Sequence, residues 1–305
     1  MKIAGIIITY NDGYKFKKWC RWYDEYKEEL GLLVIVDNGS EKDYLQQVES
    51  FFTNEVVIKR IANGGCTSAY NDGIRRALED PDVTHIALIG NDIRLQKGAL
   101  TKCVELLESD HELGMVAPVL LEADSDVVAD FGDVVANNLS LVEYGKGMHI
   151  DEIPVVWRYC EAVTGGMNVS KRSFYETTVG FQDEKLFMYS DEADMALRAR
   201  KAGVKMAVTK EALSWHQHIN PSGGRGRHPF SNYLIARNKV YLGKKHFGFV
   251  KQFDIFSNFF VKGVFGIMKS LVLFHWDQLI YPLWTILGAV NGLIGNMKEN
   301  KYSKL

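Results

Sequence analysis

Cysteine is scarce in this 305-residue sequence, and neither positive nor negative charge is in clear excess. The four cysteines lie far apart, at Cys20, Cys66, Cys103 and Cys160. Because none forms a C-x-x-C pair, the sequence excludes a disulfide scaffold and a cysteine zinc site, and it favours a reducing compartment. Lys and Arg total 36 against 38 Asp and Glu, and this net charge of −2 excludes a general nucleic-acid binder. The apolar run Ile3–Ile8 is too short for a signal peptide, so we expect the buried first strand of a cytosolic protein.

Short apolar runs alternate with charged amphipathic stretches up to about Gly248. The runs rich in β-branched residues predict the strands Ile3–Thr9, Leu32–Val36, Glu55–Lys59 and His85–Ile89. The stretches between them predict the helices Tyr14–Glu29, Lys42–Phe52 and Thr67–Leu78. This alternation is typical of an α/β fold whose mostly parallel sheet is flanked by helices. Ligands of such sheets bind at the carboxyl ends of the strands.

The region from Leu113 to Ser214 is less regular. Its strand-like pieces are Gly114–Leu121, Val127–Phe131, Ala162–Val169 and Lys205–Val208. One clear helix, Asp191–Ala202, ends at Gly203, which is a normal helix stop. Pro229–Phe247 predicts a further helix that mixes aromatic and basic residues.

The composition changes beyond Gly248, so we divide the chain into residues 1–247 and a hydrophobic helical extension over residues 248–305. Phe253–Trp276 is dense in apolar residues, and Gln278–Met297 has no charge at all. The second segment has the length of about 20 residues that a membrane span needs, but its Pro, Asn and Gly residues weaken that interpretation. We expect peripheral membrane contact, with a buried dimer contact and a true span as alternatives. The Gly288-xxx-Gly292 pair permits close helix packing.

Polar residues follow each of the first four predicted strands. The sets are Thr9-Tyr10-Asn11-Asp12, Asp37-Asn38-Gly39-Ser40, Asn63-Gly64-Gly65 with Asn71, and Gly90-Asn91-Asp92. Each set alone consists of ordinary turn residues. Because the carboxyl ends of parallel strands meet at one edge, we expect the sets to converge on one crevice. The glycines let a ligand approach the backbone, the helix beginning near Cys66 points amides at a phosphate, and Asp92 suits a divalent cation.

In this order the motifs resemble a family 2 glycosyltransferase of GT-A fold. The match continues with Thr164-Gly165-Gly166-Met167-Asn168, and then with residues 179–203, which are similar to the family's G-G-F-D-E … F-x-Y-x-E-D-x-D … R … A-G stretch. Tyr233-Leu234-Ile235-Ala236-Arg237-Asn238 is similar to the Y-Y-x-x-R-N stretch of its rhamnosyltransferase-like branch. The resemblance spans about residues 3–247, which are therefore expected to form the catalytic domain.

The resemblance implies a dTDP- or UDP-sugar donor, a divalent metal (Mg²⁺ or Mn²⁺) and inversion at the anomeric carbon. Asp37 is expected to hydrogen-bond the pyrimidine. Asp92 matches the last acid of the metal-binding D-x-D motif, whose first acid is replaced by Gly90. The residues expected to contact the nucleotide sugar are Thr9, Tyr10, Asn11, Asp37, Asn38, Asn63, Gly65, Asn71, Asn91 and Gly166.

Two adjacent acids, Asp191 and Glu192, occupy the place of the family's catalytic E-D pair, in inverted order. One of them removes the proton of the acceptor hydroxyl. We favour Glu192, which takes the place of the family's catalytic Asp, and keep Asp191 as the alternative. The competing interpretation is that both acids only cap the helix and have no catalytic role. Asp194 and Arg198 are spaced i,i+4 and predict an ion pair.

Trp215-His216-Gln217-His218 precedes a loop rich in Gly and Arg. His216 and His218 are two residues apart, so on a strand both side chains would face the same side, as the ligands of a zinc site can. No third ligand with suitable spacing accompanies them. Relatives place one histidine at the metal or diphosphate here, and we favour His218, with His216 as the alternative. Arg225 and Arg227 are expected to clamp phosphate from a mobile loop.

These expectations favour an inverting, metal-dependent transferase that adds a sugar, with rhamnose favoured, to a lipid-linked glycan in cell-surface polysaccharide synthesis. It would lie in the cytoplasm, peripherally at the inner face of the cell membrane. The alternative is a catalytically inactive GT-A-fold subunit that binds nucleotide sugar within a glycan-assembly complex. Gly90 and the inverted acid pair motivate that alternative, whereas the retained Asp92 and the two adjacent acids oppose it.

Overall fold

A mixed β-sheet of ten strands forms the centre of the computed structural model, which describes residues 1–217 and 228–298. The strands are β1 (Ile3–Thr9), β2 (Leu32–Asp37), β3 (Val56–Lys59), β4 (His85–Ile89), β5 (Ile93–Leu95), β6 (Leu113–Glu122), β7 (Val128–Asp130), β8 (Asp133–Val135), β9 (Leu141–Glu143), β10 (Trp157–Cys160), β11 (Met167–Lys171) and β12 (Lys205–His216). The helices are α1 (Phe16–Tyr26), α2 (Lys42–Phe51), α3 (Gly65–Leu78), α4 (Ala99–Ser109), α5 (Asp191–Lys201), α6 (Pro229–Phe247), α7 (Phe249–Val272) and α8 (Ile280–Ile294).

The strand order is β10-β12-β6-β11-β4-β1-β2-β3, with β5 on β12 and β7 on β6. The pairs β1–β2, β1–β4, β2–β3 and β6–β12 are parallel, whereas β11 runs antiparallel between β4 and β6. A separate two-stranded hairpin consists of β8 and β9. The predicted α/β class with a mostly parallel sheet is therefore confirmed for the N-terminal half.

Side chains alternate across the first two strands, and each set enters a different apolar cluster. Ile7 and Ile35 pack with α1 and α2 on one face of the sheet. Ile6 and Val34 pack with α3 on the other face. Successive side chains of a strand point to opposite faces, so a strand covered on both sides must be apolar at nearly every position. That requirement explains the uninterrupted apolar runs in the sequence.

The C-terminal helices pack on α6 through glycines. A Cβ atom on Gly288 would lie 2.2 Å from the carbonyl oxygen of Tyr233, and one on Gly292 would lie 2.4 Å from that of Arg237. Both glycines of α8 therefore permit direct backbone contact with α6. The uncharged segment forms only this 15-residue helix. In the described parts of the chain, α7 alone is long and apolar enough to cross a membrane, with 24 residues and a mean hydropathy of 1.4.

Candidate functional site

A crevice of about 450 Å³ opens at the carboxyl ends of β1 and β4. It brings together residues that are far apart in the sequence, from Ile8 to Glu192, as the strand-end rule predicts. Nine of the predicted site residues line it: Thr9, Tyr10, Asn38, Asn63, Asn91, Asp92, Gly166, Asp191 and Glu192. Asn11, Asp37, Gly65 and Asn71 do not line it, and His218, Arg225 and Arg227 lie outside the described residues.

Hydrogen bonds to neighbouring segments hold the end of β1 and the loop that follows it. The Thr9 hydroxyl hydrogen-bonds the Tyr44 hydroxyl, and the Asn91 amide donates to Asp12 Oδ2 over 2.7 Å. Asn11 has a positive φ of 52°, and its side-chain oxygen accepts from the backbone N–H of Glu41 over 2.8 Å. Asn11 therefore ties the β1 loop to the β2 loop instead of facing the crevice.

Asp37 ends β2 and is 1% exposed. Its Oδ2 accepts from the backbone N–H of Ser40 over 3.1 Å. Its Oδ1 is buried and has no hydrogen-bond partner among the residues that the structure describes. A buried carboxylate oxygen without a donor is costly, so this atom is suited to accept a hydrogen bond from a ligand.

The loop before α3 is held by an amide network. Asn38 Nδ2 donates to Asn63 Oδ1 over 2.9 Å, and Asn38 Oδ1 accepts from Arg60 over 2.8 Å. Gly65 has a φ of 87°, and a Cβ atom there would lie 2.3 Å from the carbonyl oxygen of Phe187. Gly65 therefore allows the loop that precedes α3 to touch the loop that precedes α5, instead of bordering the crevice.

Asn71 is fully buried on α3 and faces away from the crevice. Its amide donates to the Gln182 carbonyl and to Glu184, each over 2.9 Å, and its oxygen accepts from the Gln182 N–H. Its amide N–H and its oxygen both bond within the protein in this structure, while the expected nucleotide contact stays a prediction. Asn71 fixes the Gln182–Glu184 turn.

Asp92 lies 3.3 Å from the imidazole Nε2 of His216, the alternative histidine of the sequence prediction. Burial opposes ionisation of Asp92, but the hydrogen bond and charge of His216 outweigh it, so the pKa of Asp92 lies below its usual range. Gly90 leaves little room beside this carboxylate, because a Cβ atom there would lie 3.0 Å from Asp92 Oδ1. The glycine that replaces the first acid of the motif therefore packs closely against the carboxylate of the second acid, Asp92.

The donor set around Asp92 fits a divalent cation in part. Asp92 Oδ2 and His216 Nε2 lie 3.3 Å apart, so a carboxylate and an imidazole are close enough together to hold one divalent cation between them. No cluster of three or more His, Cys, Asp or Glu side chains suited to a metal occurs within residues 1–217 and 228–298. Mg²⁺ commonly takes most of its ligands from substrate phosphates and water, so Asp92 and His216 would need the donor's diphosphate to complete a site.

Asp191 and Glu192 begin α5 and share two of the spaces around them. Both line the crevice, and both line a small cavity of about 30 Å³. Glu192 also borders a second pocket of about 240 Å³, which Asp191 does not line. Burial, followed by the charge of Glu192, raises the pKa of Asp191 well above its usual value. Burial also raises the pKa of Glu192, whereas its hydrogen bond with Asp191 acts in the opposite direction.

The loop before α5 is strained. Phe187, Tyr189 and Ser190 have φ values of 63°, 68° and 65°, in the left-handed region that non-glycine residues seldom adopt. Such conformations persist only where the surroundings enforce them, and they cluster at functional sites. Here they set the direction in which α5 starts and in which its two acids point.

Two buried residues of α6 hold this loop in its strained conformation. The Asn238 amide donates to the carbonyl oxygens of Leu186, Met188 and Tyr189 over 2.9, 2.9 and 2.8 Å. Arg237, which is 1% exposed, donates to the Leu186 carbonyl over 3.0 Å. The sequence marks Arg237 and Asn238 only as part of a family-like stretch, and their position under the loop follows from the fold.

The predicted ion pair in α5 is confirmed. Arg198 Nε lies 2.9 Å from Asp194 Oδ2, and the other Asp194 oxygen contacts Lys245 over 2.7 Å and His246 over 2.8 Å. Burial of Asp194 opposes its charge, but these partners lower its pKa to about 2. Asp194 therefore joins α5 to the end of α6.

Comparison with known proteins gives consistent similarities. Residues 29–130 match the model of the family described as Glycosyl transferase family 2. A curated relative from Mycobacterium tuberculosis, an N-acetylglucosaminyl-diphospho-decaprenol L-rhamnosyltransferase, is 23% identical over 269 residues, covering 80% of this chain and 84% of the relative.

Solved structures resemble the fold. The crystal structure of GalNAc-T7 with UDP, GalNAc and Mn²⁺ has a TM-score of 0.64 and 12% identity, covering 80% of this chain and 48% of that chain. This chain thus spans about half the length of that protein. Residues 1–349 of S. aureus TarS superpose with a TM-score of 0.56 and 13% identity, covering 97% of this chain and 82% of theirs. The same fragment in complex with UDP-GlcNAc gives 0.53 and 14%.

Proposed function

This chain is a glycosyltransferase with a family 2 domain and the GT-A fold, and we propose that it transfers a sugar, with rhamnose favoured, from a nucleoside diphosphate to a lipid-linked glycan. Transfer proceeds with inversion at the anomeric carbon. The product would belong to cell-surface polysaccharide synthesis. The name of the mycobacterial relative, an N-acetylglucosaminyl-diphospho-decaprenol L-rhamnosyltransferase, supports the lipid-linked acceptor.

The nucleotide binds in the crevice at the ends of β1 and β4. Asp37 does not line the crevice, and its buried, partnerless Oδ1 would accept a hydrogen bond from the ring N–H of a uracil or thymine base only after the crevice opens towards it; such a contact would favour UDP- and dTDP-sugars. Tyr10, which is 42% exposed at the crevice, offers a ring for stacking on that base. The resemblance to proteins whose structures contain UDP and UDP-GlcNAc supports the same donor class.

One observation carries the mechanism: Glu192 borders the crevice and also the second pocket beside it. We assign the crevice to the donor and the second pocket to the acceptor. The Glu192 carboxylate accepts the proton of the acceptor hydroxyl while that oxygen attacks the anomeric carbon from the side opposite the departing diphosphate. This single displacement inverts the configuration of the carbon.

Asp191 supports this base without replacing it. Burial and the charge of Glu192 raise the pKa of Asp191, which favours its protonated form. The hydrogen bond between the two acids acts to lower the pKa of Glu192 and so favours its ionised form, which the proton transfer requires. The inverted order of the two acids is compatible with activity in this arrangement.

A divalent cation would be held by Asp92 and His216; His218, the histidine that the sequence favoured, lies outside the described residues. Bound there, Mg²⁺ or Mn²⁺ would neutralise negative charge on the diphosphate. Lys15, which contacts Asp12 over 3.2 Å at the same crevice, adds a fixed positive charge of the protein itself.

The acceptor is bound at a membrane surface. Large apolar side chains are exposed along α7 and the turn that follows: Phe249, Val250, Phe253, Phe260, Val261, Val264, Phe265, Met268, Leu271, Val272, Leu273, Phe274 and Trp276. Lys262 and Lys269 interrupt this surface in the manner of interfacial helices, whose cations remain at the headgroups. We propose peripheral attachment at the inner face of the cell membrane. A homodimer through the same surface is the alternative.

A donor titration tests the function. The purified protein is titrated calorimetrically with dTDP-rhamnose, UDP-glucose, UDP-galactose and UDP-N-acetylglucosamine, each with Mn²⁺ and with EDTA. Metal-dependent binding of one donor, followed by its transfer to a membrane extract, is expected. If a donor binds but no transfer follows with any extract, the inactive nucleotide-sugar-binding subunit becomes the better description. If none binds, the proposed function is wrong.

A further inference from the structure

A separate pocket of about 290 Å³ lies between α6, α7 and the loop that joins β8 to β9. Its polar lining comes from all three elements. Lys239 is on α6, Lys251 and Lys262 are on α7, and Asn137 and Ser140 are in the loop. Ile255 and Phe259 of α7 supply an apolar part of the lining. We call this space the lysine pocket.

Positive charge exceeds negative charge in the lysine pocket. Asp254 is its one acidic lining residue, and it contacts Lys251 over 2.9 Å. Lys239 Nζ donates to the Ser140 hydroxyl over 2.5 Å, which holds it at the loop. Lys262 makes no ion pair with any residue of the described segments. Ammonium groups converging with amide and hydroxyl groups are the chemistry that binds phosphate oxygens.

The position of the lysine pocket relates it to both the membrane surface and the base. Lys262 is followed along α7 by the exposed Phe265, so an apolar chain leaving the pocket meets an apolar surface. Ser140 lines the lysine pocket, and the next residue, Leu141, lines the pocket that contains Glu192. The β8–β9 hairpin is therefore the partition between the two spaces.

The two spaces are close enough for one ligand to occupy both. Asp133 lines the pocket of Glu192 and Asn137 lines the lysine pocket. Asn137 is four positions after Asp133, with three residues between them, so their Cα atoms lie at most about 14 Å apart. An extended sugar diphosphate covers a span of this order, with its sugar hydroxyl at one end and its lipid ester at the other.

We propose that the lysine pocket binds the diphosphate of a polyprenyl diphosphate-linked acceptor. This inference rests on the proposed function and names its acceptor class. The sugar of the acceptor extends past the β8–β9 hairpin to Glu192, and the polyprenyl chain leaves along α7. The phosphate of an ordinary anionic phospholipid has related chemistry but carries no sugar that reaches the base, so it is the competing occupant.

The test measures binding of farnesyl diphosphate to the full-length protein in detergent. UDP and dTDP are present at saturation, so that the donor crevice is closed to the probe. The variants are Lys262→Gln and the double variant Lys239→Gln/Lys262→Gln. Lys269→Gln is the matched control, because it lies two turns further along α7 and does not line the lysine pocket. Thermal melting checks that each variant folds.

The Lys262 variant is expected to weaken farnesyl diphosphate binding about tenfold or more and the double variant further, since charged hydrogen bonds are lost. Lys269→Gln is expected to stay within about twofold, in keeping with an exposed charge. Donor binding, measured separately, is expected to be unchanged in all three. A separate arm measures binding to phosphatidylglycerol and phosphatidylcholine vesicles, where Lys262→Gln and Lys269→Gln are expected to have equal effects.

Three results overturn the inference: no binding of farnesyl diphosphate, equal effects of Lys262→Gln and Lys269→Gln on that binding, or a Lys262-specific loss confined to phosphatidylglycerol vesicles. If donor binding fails while lysine-dependent diphosphate binding remains, the proposed function is wrong and the lysine pocket still binds a diphosphate. If donor binding and transfer succeed while the lysine variants behave as the control does, the proposed function stands and the inference about the lysine pocket is wrong.

Discussion

Substitution of Asn238 by Leu tests whether α6 positions the catalytic acids. Leu has a similar shape but donates no hydrogen bond. The Asn238 amide has two N–H groups for the carbonyls of Leu186, Met188 and Tyr189, so about two hydrogen bonds are lost. The Leu186 carbonyl keeps Arg237 as a donor, so the part-buried carbonyls of Met188 and Tyr189 are the ones left without one, at about 1–3 kcal/mol each and about 2–6 kcal/mol in total.

The loop can lower this cost by relaxing. Phe187, Tyr189 and Ser190 are held in the left-handed region, at about 1–3 kcal/mol each. Without Asn238 the strain is no longer balanced, and we expect the loop to move and to shift the first turn of α5. A displacement of about 1 Å at Glu192 costs about 100-fold in turnover. We therefore expect kcat to fall about 100-fold or more, with a smaller loss of melting temperature than global unfolding of α6 would cause.

The matched control is Asn291→Leu. Asn291 donates to the Tyr233 hydroxyl over 2.9 Å, so it also bonds α6 from a neighbouring segment, but it does not touch the loop before α5. This control is expected to lower stability by about 1 kcal/mol and to leave kcat within a few-fold. Steady-state kinetics and thermal melting are measured for both variants. Equal losses of turnover, or a normal kcat for a folded Asn238→Leu protein, would refute the positioning role.

Three further results are expected. Glu192→Gln should lower turnover at least about 100-fold with donor binding retained, whereas Asp191→Asn should be milder; the reverse order in a rate assay would make Asp191 the base. The lowered pKa of Asp194 means that its ion pairs contribute about 2–3 kcal/mol above about pH 5 and lose this as the pH falls towards 2. Urea unfolding should therefore show the stability gap between the unmodified protein and Asp194→Asn shrinking over that range, and a constant gap would contradict it. Phe265→Ser should weaken vesicle binding about tenfold, while Phe51→Ser, which removes another exposed phenylalanine (43% exposed against 67%) from α2, should not; similar binding by both would remove α7 from the membrane contact.

The first half of the fold is well determined by local sequence signals. The bounds of β1, β4 and α6 agree with the predicted ones, because each is a strongly apolar or periodic segment with clear ends. The β8–β9 hairpin has strands of three residues with partly exposed side chains, and such strands carry too little pattern to predict. The antiparallel course of β11 depends on its two neighbours in the sheet, which its own residues do not specify.

The site, like the fold, has a part that local sequence predicts and a part that depends on contacts made only in the folded chain. Residues at strand ends, such as Thr9 and Asp92, are predictable because topology alone gathers the ends of parallel strands. Asn71 illustrates the limit of the motif, because a family-like Asn–Asp–Gly triplet does not reveal that the amide faces Gln182. Asn238 and the loop it supports are about 50 residues apart in the chain, so their contact exists only in the folded protein.

Composition changes at Gly248, but the packing continues across it. Gly288 of α8 lies against the backbone of Tyr233, four residues before Arg237, and Arg237 and Asn238 hold the loop that presents Glu192. The apolar extension is therefore joined to the base through α6, in a path of direct contacts. A membrane or a partner that displaced α8 would press on α6 and, through Asn238, on the strained loop. For this reason the tail is best probed with surface substitutions such as Phe265→Ser, since deletion of residues 249–305 would remove the support of α6 together with the exposed surface.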